Sequence, residues 1–335
     1  MPVRLSWLSS LGITLWLLIA CVPEQHKVVL HGQTQGTYYA VTYYDSRGRD
    51  FQPQIDSILR VFDLSVSMWE TASVISRVNA GDTTVQPDEW FLDIFRMSEE
   101  ISAKTEGAFD FTVGPLVNAW GFGFKGKLKM DREKVDSLLQ FVDYRSVMLD
   151  DQDRVVKPDG FRFDFNAIAQ GYAVDVLGGY LESHGIDHYL IDIGGEILGK
   201  GHKPGNEPWI VGIETPAADS LSERSIHTRV RLVDKALATS GSYRKYREEN
   251  GFKYSHTIDP KTGYPVQHTL LSVSVLAGDC ATADAYATAF MIMGLEKSLE
   301  FIQTEPRLEA FFISDGGNGI FLINTTEGFK KIILE

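Results

Sequence analysis

The chain has 335 residues, 44% of them apolar and 23% charged, a balance that excludes a mainly disordered protein. Its 32 Lys plus Arg against 45 Asp plus Glu give a formal net charge of −13. An acidic chain without a long basic run lacks the clustered cations that phosphate backbones require, so no nucleic-acid partner is expected.

The first element reads as a targeting segment. Arg4 precedes an apolar run from Leu5 to Ala20, shorter than the roughly 20 residues needed to span a bilayer and closed by small residues. Leu18-Ile19-Ala20-Cys21 resembles a bacterial lipobox, in which the peptide is cut before a Cys that is then acylated. The expected organisation is a signal peptide over 1–20, a lipidated (palmitoylated) Cys21 with a tether over 21–31, and one large domain over 32–335. The expected location is a bacterial cell membrane, with the lipid-anchored chain facing the periplasm or exterior. If Cys21 carries lipid, Cys280 has no disulfide partner, and the hydrophobic core alone must hold the fold.

After Val22–Gly32, read as a tether, Thr37–Tyr43 alternates large groups and reads as the first strand. Phe51, Ile55, Leu59 and Phe62 recur at helical spacing. A second helix is expected from Asp88, its cap, to about Thr105, with Gly107 as its stop. Phe161, Phe163 and Phe165 alternate with polar residues as in a strand, and a helix follows with Ile168, Tyr172, Val176 and Leu181 on one face. Strands are expected at Tyr189–Ile193, Trp209–Glu214, Thr228–Val233 and Leu270–Leu276. Two helices, at Thr282–Met293 and Leu295–Gln303, precede two short strands at Ala310–Ser314 and Ile320–Asn324. Strands and helices do not alternate strictly, which predicts an α+β fold: a largely antiparallel or mixed sheet core with flanking helices. No glycine-rich dinucleotide or P-loop turn is present.

Five constellations could carry chemistry. Asp284 and Thr288 lie four apart on a predicted helix, so their oxygens share a face and suit a hard cation such as Mg²⁺. The plainer alternative is a helix-start Asp and a Thr bonded to its own backbone. Ser255–Pro265 contains a turn that His256 enters, and an imidazole poised near neutral pH can serve as a general base. A surface or packed His is the alternative. Asp164–Tyr172 joins a strand to a helix, where free backbone amides can face an anion, and Gly171 allows another backbone to approach. The alternative is a plain junction capped by Asn166. Leu237–Arg244 and Asp192–Glu196 read as hydroxyl- and glycine-rich turns after apolar strands. Gly107–Leu116, running into Trp120–Gly123, sets aromatics among glycines, either to stack a flat ring or to pack a core under a loop.

In their joint order these motifs resemble the ApbE family, the FAD:protein FMN transferases. The resemblance runs through Gln33–Thr37, Ser73–Asn79, Phe109–Gly123, Asp164–Asp175, Gly194–Glu196, Thr239–Arg244, Ser255–Pro265 and Ala283–Thr288, covering about Gly32 to the C-terminus. It implies an ApbE-like (T-fold-like) architecture. It also implies an Mg²⁺-dependent enzyme that splits FAD, moves FMN onto a Thr hydroxyl through a phosphoester bond, and releases AMP. The implied acceptors are exported or membrane redox proteins such as redox-pump subunits.

By the same resemblance, Mg²⁺ is held by Asp284, Thr288 and the backbone oxygen of Ala167, with Ala287 adjacent. FAD lies against Gln35, Trp69, Ala108, Phe109, Asp110, Asp164, Gln170 and Ile258, and His256 is the base for the acceptor Thr. The chain departs from the family pattern at four of these positions. Gln35 replaces a common Met, Trp69 a common Tyr, Gln170 a common charged residue, and Ala287 an Asp found in some members. With Asp284 as its one carboxylate, the implied site binds metal weakly until FAD phosphates complete the shell. Two alternatives share the fold: an FAD pyrophosphatase giving free FMN and AMP, and a flavin-binding lipoprotein without catalysis.

Overall fold

The structure is a computed structural model and describes residues 25–123, 128–216, 225–241, 246–249, 252–255 and 257–334, with the backbone alone over 246–249 and 252–255. The chain begins with a long hairpin, β1 (His26–Thr34) and β2 (Thr37–Asp45). Residues 26–32, expected as tether, are therefore strand. Their polar and apolar residues alternate poorly because β1 is an edge strand with one half-exposed face.

A helical region follows: α1 (Gln52–Val66), α2 (Val74–Asn79), α3 (Glu89–Lys104), α4 (Gly114–Trp120) and α5 (Arg132–Leu139). Caps define these starts. Ser73 accepts a hydrogen bond from Ser76 N at 3.1 Å, and Asp88 accepts one from Phe91 N at 3.1 Å. Ile55, Leu59, Phe62 and Val66 give α1 its buried stripe. A two-strand ribbon, β3 (Met148–Leu149) and β4 (Val155–Val156), closes this region.

Phe161–Phe165 is not a strand. It is an extended run that makes one bridge, Arg162 to Val113. The alternation that suggested a strand has another cause. Phe163 and Phe165 pack with Phe91, Phe95 and Phe111, ring centroids 5.1 to 6.4 Å apart. The period of two thus records an aromatic cluster on one side of a single extended segment, whose other side buries Asp164 as well.

The rest of the chain builds the sheet. Helix α6 (Ala169–Ser183) leads into β5 (Tyr189–Ile193) and β6 (Glu196–Lys200). Next come β7 (Trp209–Glu214), β8 (Ile226–Leu232), β9 (Lys235–Gly241) and the ribbon β10 (Tyr246–Glu249) with β11 (Phe252–Ser255). Last are β12 (Leu270–Ala277), α7 (Cys280–Met293), α8 (Leu295–Thr304), β13 (Glu309–Asp315), β14 (Phe321–Thr325) and α9 (Glu327–Lys330). Eight strands form one sheet in the order β1-β2-β5-β6-β9-β12-β13-β14, and every neighbouring pair is antiparallel.

Helices α6 and α7 cover one face of the sheet, and the β7–β8 hairpin with Phe329 of α9 covers part of the other. Alternate residues of β9 and β12 therefore enter different cores. Ala236, Ala238, Val273 and Val275 face the helices, whereas Leu237 and Leu276 face the hairpin. Coverage on both faces is why β9 carries no polar–apolar alternation. Leu237–Gly241, expected as part of a turn, makes up the last five of the seven residues of this central strand.

Candidate active site

The site is built where α6 crosses α7. A Cβ on Gly171 would lie 2.4 Å from Cys280 O and 2.9 Å from Asp284 Cβ, so only glycine allows the crossing. Contact at that distance lets Gly171 N donate to Asp284 Oδ2 at 3.1 Å. No side chain caps the start of α6, so this backbone donor is left to the carboxylate.

The N-terminus of α7 is fixed by two acids. Asp279 caps it by accepting from Thr282 N at 2.8 Å. Asp175 of α6 accepts from Cys280 N at 2.8 Å and from Ala281 N at 2.8 Å. Burial pushes the Asp175 carboxyl up to about 7 despite these bonds.

Asp284 and Thr288 then sit one turn apart on α7. The Thr288 hydroxyl is 3.1 Å from Ser240 Oγ on β9, and Thr239 Oγ1 is 2.7 Å from Ser274 Oγ on β12. The stretch read as a hydroxyl-rich turn thus supplies one strand hydroxyl, that of Ser240, beside α7, whereas Thr239 and Ser274 lie on the face turned away from it. Ala287 is fully buried and offers no side-chain donor. Ala167 lies in the turn before α6, whose geometry Asp164 sets by accepting from Asn166 N at 2.9 Å. Burial pushes the Asp164 carboxyl up to about 6. Asn166 does not cap α6; the N-cap position belongs to Ile168.

Glu196, at the start of β6, is the acid that sequence reasoning left without a role. It is 9% exposed, and Gln170 donates its amide to Glu196 Oε2 and to Ile193 O, the latter at 2.8 Å. Burial and the neighbouring Asp284 charge both hold the Glu196 carboxyl well above its usual range. The Gly194-Gly195 pair makes this possible. A Cβ at Gly194, whose φ is +63°, would meet Gln170 Nε2 at 2.6 Å and Thr37 Cγ2 at 2.7 Å.

The expected FAD contacts fall into two groups. Gln35 holds a φ of +50° at the tip of the β1–β2 hairpin, and Trp69 is 66% exposed after α1. Gln35 Nε2 is buried and has no hydrogen-bond partner among the described residues. Ala108, Phe109, Asp110 and Ile258 are all buried. Asp110 uses both carboxylate oxygens locally. It accepts from Thr112 N at 2.8 Å, Thr112 Oγ1 at 2.6 Å and Tyr144 N at 3.0 Å, so its side chain shapes the loop. Ile258 bridges to Pro265, and Trp120 Nε1 donates to Gly263 O at 2.8 Å, pinning that turn to α4. A cleft of about 520 Å³ separates Gly107 and Asp110 from Pro260 and Lys261, and none of the carboxylates beside α7 lines it. His256 and Cys21 lie outside the described residues.

Among the described residues, no cluster of three or more His, Cys, Asp and Glu side chains forms a ready metal cage. The donors gathered at the crossing are carboxylates, hydroxyls and backbone carbonyls, a set that fits Mg²⁺ rather than a soft metal.

The ApbE family profile matches residues 35–312. The chain belongs to the ApbE family. It is 35% identical to an FAD:protein FMN transferase of Vibrio cholerae, with 97% of this chain and 96% of that protein covered. It is 34% identical to one from Haemophilus influenzae over 94% of each chain. Among solved structures, the flavin transferase ApbE from Vibrio cholerae has a TM-score of 0.80 at 32% identity, covering 92% of this chain and all of that one. The Pseudomonas stutzeri flavinyl transferase ApbE has a TM-score of 0.82 at 31% identity, covering 92% and 97%. The α+β fold with its antiparallel sheet is thus the ApbE fold.

Proposed function

We propose that this ApbE-family flavin transferase splits FAD with the help of Mg²⁺, moves the FMN half onto a Thr hydroxyl of another protein, and releases AMP. The observation that carries this reading is the α6–α7 crossing at Gly171, which gathers Asp284, Thr288 and Glu196 below the Gly194-Gly195 turn. When bound, a divalent cation there offsets the negative charge of the diphosphate and of the leaving AMP.

The chain's own residues do the rest. Asp284 and Thr288 of α7 and the Ala167 carbonyl hold the cation. Gly171 fixes the Asp284 rotamer through its backbone donor. Trp69 presents an exposed indole for the flavin ring, and Gln35 holds, at the tip of the β1–β2 hairpin, a buried amide nitrogen unpartnered among the described residues. Ala108, Phe109, Asp110 and Ile258 form the buried wall against the rest of FAD, Asp164 shapes the turn beside it, and Gln170 fixes the neighbouring Glu196. Ala287 packs behind the metal-holding face. His256 takes the proton from the acceptor Thr, whose hydroxyl is otherwise a weak nucleophile.

Cys21 carries the lipid that keeps the enzyme on the membrane surface, facing the periplasm or exterior. Among the described residues no helix is long and apolar enough to cross a membrane. The acceptors are exported or membrane redox proteins.

The test is mass spectrometry of an acceptor domain incubated with the full chain, FAD and Mg²⁺. The acceptor should gain one FMN through a Thr while AMP accumulates. Free FMN and AMP without an adduct would instead establish a pyrophosphatase. Intact FAD after Mg²⁺ addition would establish a non-catalytic flavin binder.

A further inference from the structure

We propose that Glu196 is a second carboxylate of the cation site, so that this chain holds a divalent metal ion on Asp284 and Glu196 before any dinucleotide arrives. This rests on the Asp284–Thr288 site proposed above and goes beyond it, because the family resemblance gives that site one carboxylate and gives Glu196 no role.

The argument starts at the first turn of α6. Two consecutive residues there hold the two acids: Gln170 through its side-chain amide to Glu196 Oε2, and Gly171 through its backbone N–H to Asp284 Oδ2. Both carboxylates are more than nine-tenths buried, at 9% and 6% exposure. Among the described residues Asp284 accepts from Gly171 N alone, and Glu196 accepts from Gln170 and is held besides by its own backbone N–H. No other described residue donates to Glu196 Oε1 or Asp284 Oδ1.

No Lys, Arg or His among the described residues forms an ion pair with either acid. Gln170, which could have carried a balancing charge, is neutral. Two desolvated like charges held only by neutral donors are expensive unless a cation joins them. Thr288 Oγ1 and Ser240 Oγ, 3.1 Å apart, add neutral oxygens beside Asp284. Two carboxylates with hydroxyls form a hard-oxygen donor set of the kind that Mg²⁺ and Mn²⁺ take. Ala287 removes the helix position that could have supplied a second acid. The structure draws that acid from β6, a strand 88 residues earlier in the chain than Asp284.

The test is Mn²⁺ titration of the full chain, stripped of metal and flavin, followed by the loss of the free-Mn²⁺ paramagnetic resonance signal. The wild type should bind Mn²⁺ without FAD. Glu196→Gln should weaken that binding by about 10-fold or more, and Glu196→Asp, which keeps the charge on a shorter arm, by less. Wild-type affinity in a folded Glu196→Gln chain, or a wild type that binds Mn²⁺ only with FAD present, overturns the proposal. If Glu196→Gln does not fold, Glu196→Asp and the FAD-free wild type still decide it. Asp284→Asn separates the two readings. Loss of binding there with none in Glu196→Gln sinks only the Glu196 role. Wild-type binding in Asp284→Asn sinks the α7 metal site itself.

Discussion

One hydrogen atom at Gly171 sets the separation of α6 and α7. Gly171→Ala would drive a methyl group to 2.4 Å from the Cys280 carbonyl oxygen, which is backbone and cannot rotate away. The variant should lose about 1–3 kcal/mol of stability and lower Tm in calorimetry. It should also lose Mn²⁺ affinity, because the clash with Cys280 O and Asp284 Cβ pushes the helices apart and moves the residue-171 N–H away from Asp284. Gly179 is the control. It is exposed in the same helix, and an added Cβ there would meet open space, so Gly179→Ala should raise stability by up to ~1 kcal/mol and leave binding unchanged. Asp284→Ala should abolish FAD cleavage and keep the circular dichroism of the wild type. Cleavage that survives in chelator-treated buffer would remove the metal from the mechanism. Some of these residues were legible in the sequence. Asp284 and Thr288 share a helix face by spacing alone, and Gly171 signals a close approach. Glu196 was not, because its partners Gln170 and Asp284 reach it only through the fold. Asp110 was legible as a special residue, but its bonds to Thr112 and Tyr144 are local turn chemistry that spacing does not reveal.

Among the elements, the long helices and the later strands stood out because caps and apolar stripes are written locally, as at Asp88 and along α1. Strand β9 did not. Its Ala-Leu-Ala-Thr-Ser-Gly sequence has low strand propensity, and it is a strand because β6 and β12 flank it and α7 lies across it. The β2–α1 connection yields a pH prediction. Asp45 is buried at the end of β2 and accepts hydrogen bonds from Arg49 Nε at 2.9 Å and Arg49 N at 2.8 Å. The Arg49 guanidinium holds its carboxyl down to about 2. A carboxyl with a folded value below its unfolded one stabilises the fold above about pH 4. That contribution disappears as pH falls from about 4 through about 2. Asp45→Asn should therefore cost on the order of 1 kcal/mol at pH 7, after allowance for the partly exposed Arg49. At pH 2 it should cost only a small part of that, and below pH 2 almost nothing. Equal losses by urea unfolding at both pH values would mean the ion pair contributes no pH-dependent stability.

At the scale of the molecule, the antiparallel sheet brings residues from widely separated parts of the chain to one end. The Gln35–Gly36 tip, the Gly194-Gly195 turn and the start of β6 meet there, while α7 delivers Asp284 from the C-terminal third. This assembly is the part of the site that no local pattern encodes, and only the joint order of motifs pointed to it. The N-terminal segment is tested separately. A full-length Cys21→Ser chain should move from the membrane fraction to the soluble or uncleaved-precursor fraction, whereas an unchanged lipid-labelled membrane pool would remove the anchor. The account depends most on the cation at the α6–α7 crossing, and a crystal of the full chain grown with FAD and Mn²⁺ tests it directly by anomalous scattering. The predicted result is a peak about 2.1 Å from an Asp284 oxygen, with Glu196 and Thr288 around it and the diphosphate against its open side. A diphosphate bound with no peak at those residues, or a peak held elsewhere, would contradict it.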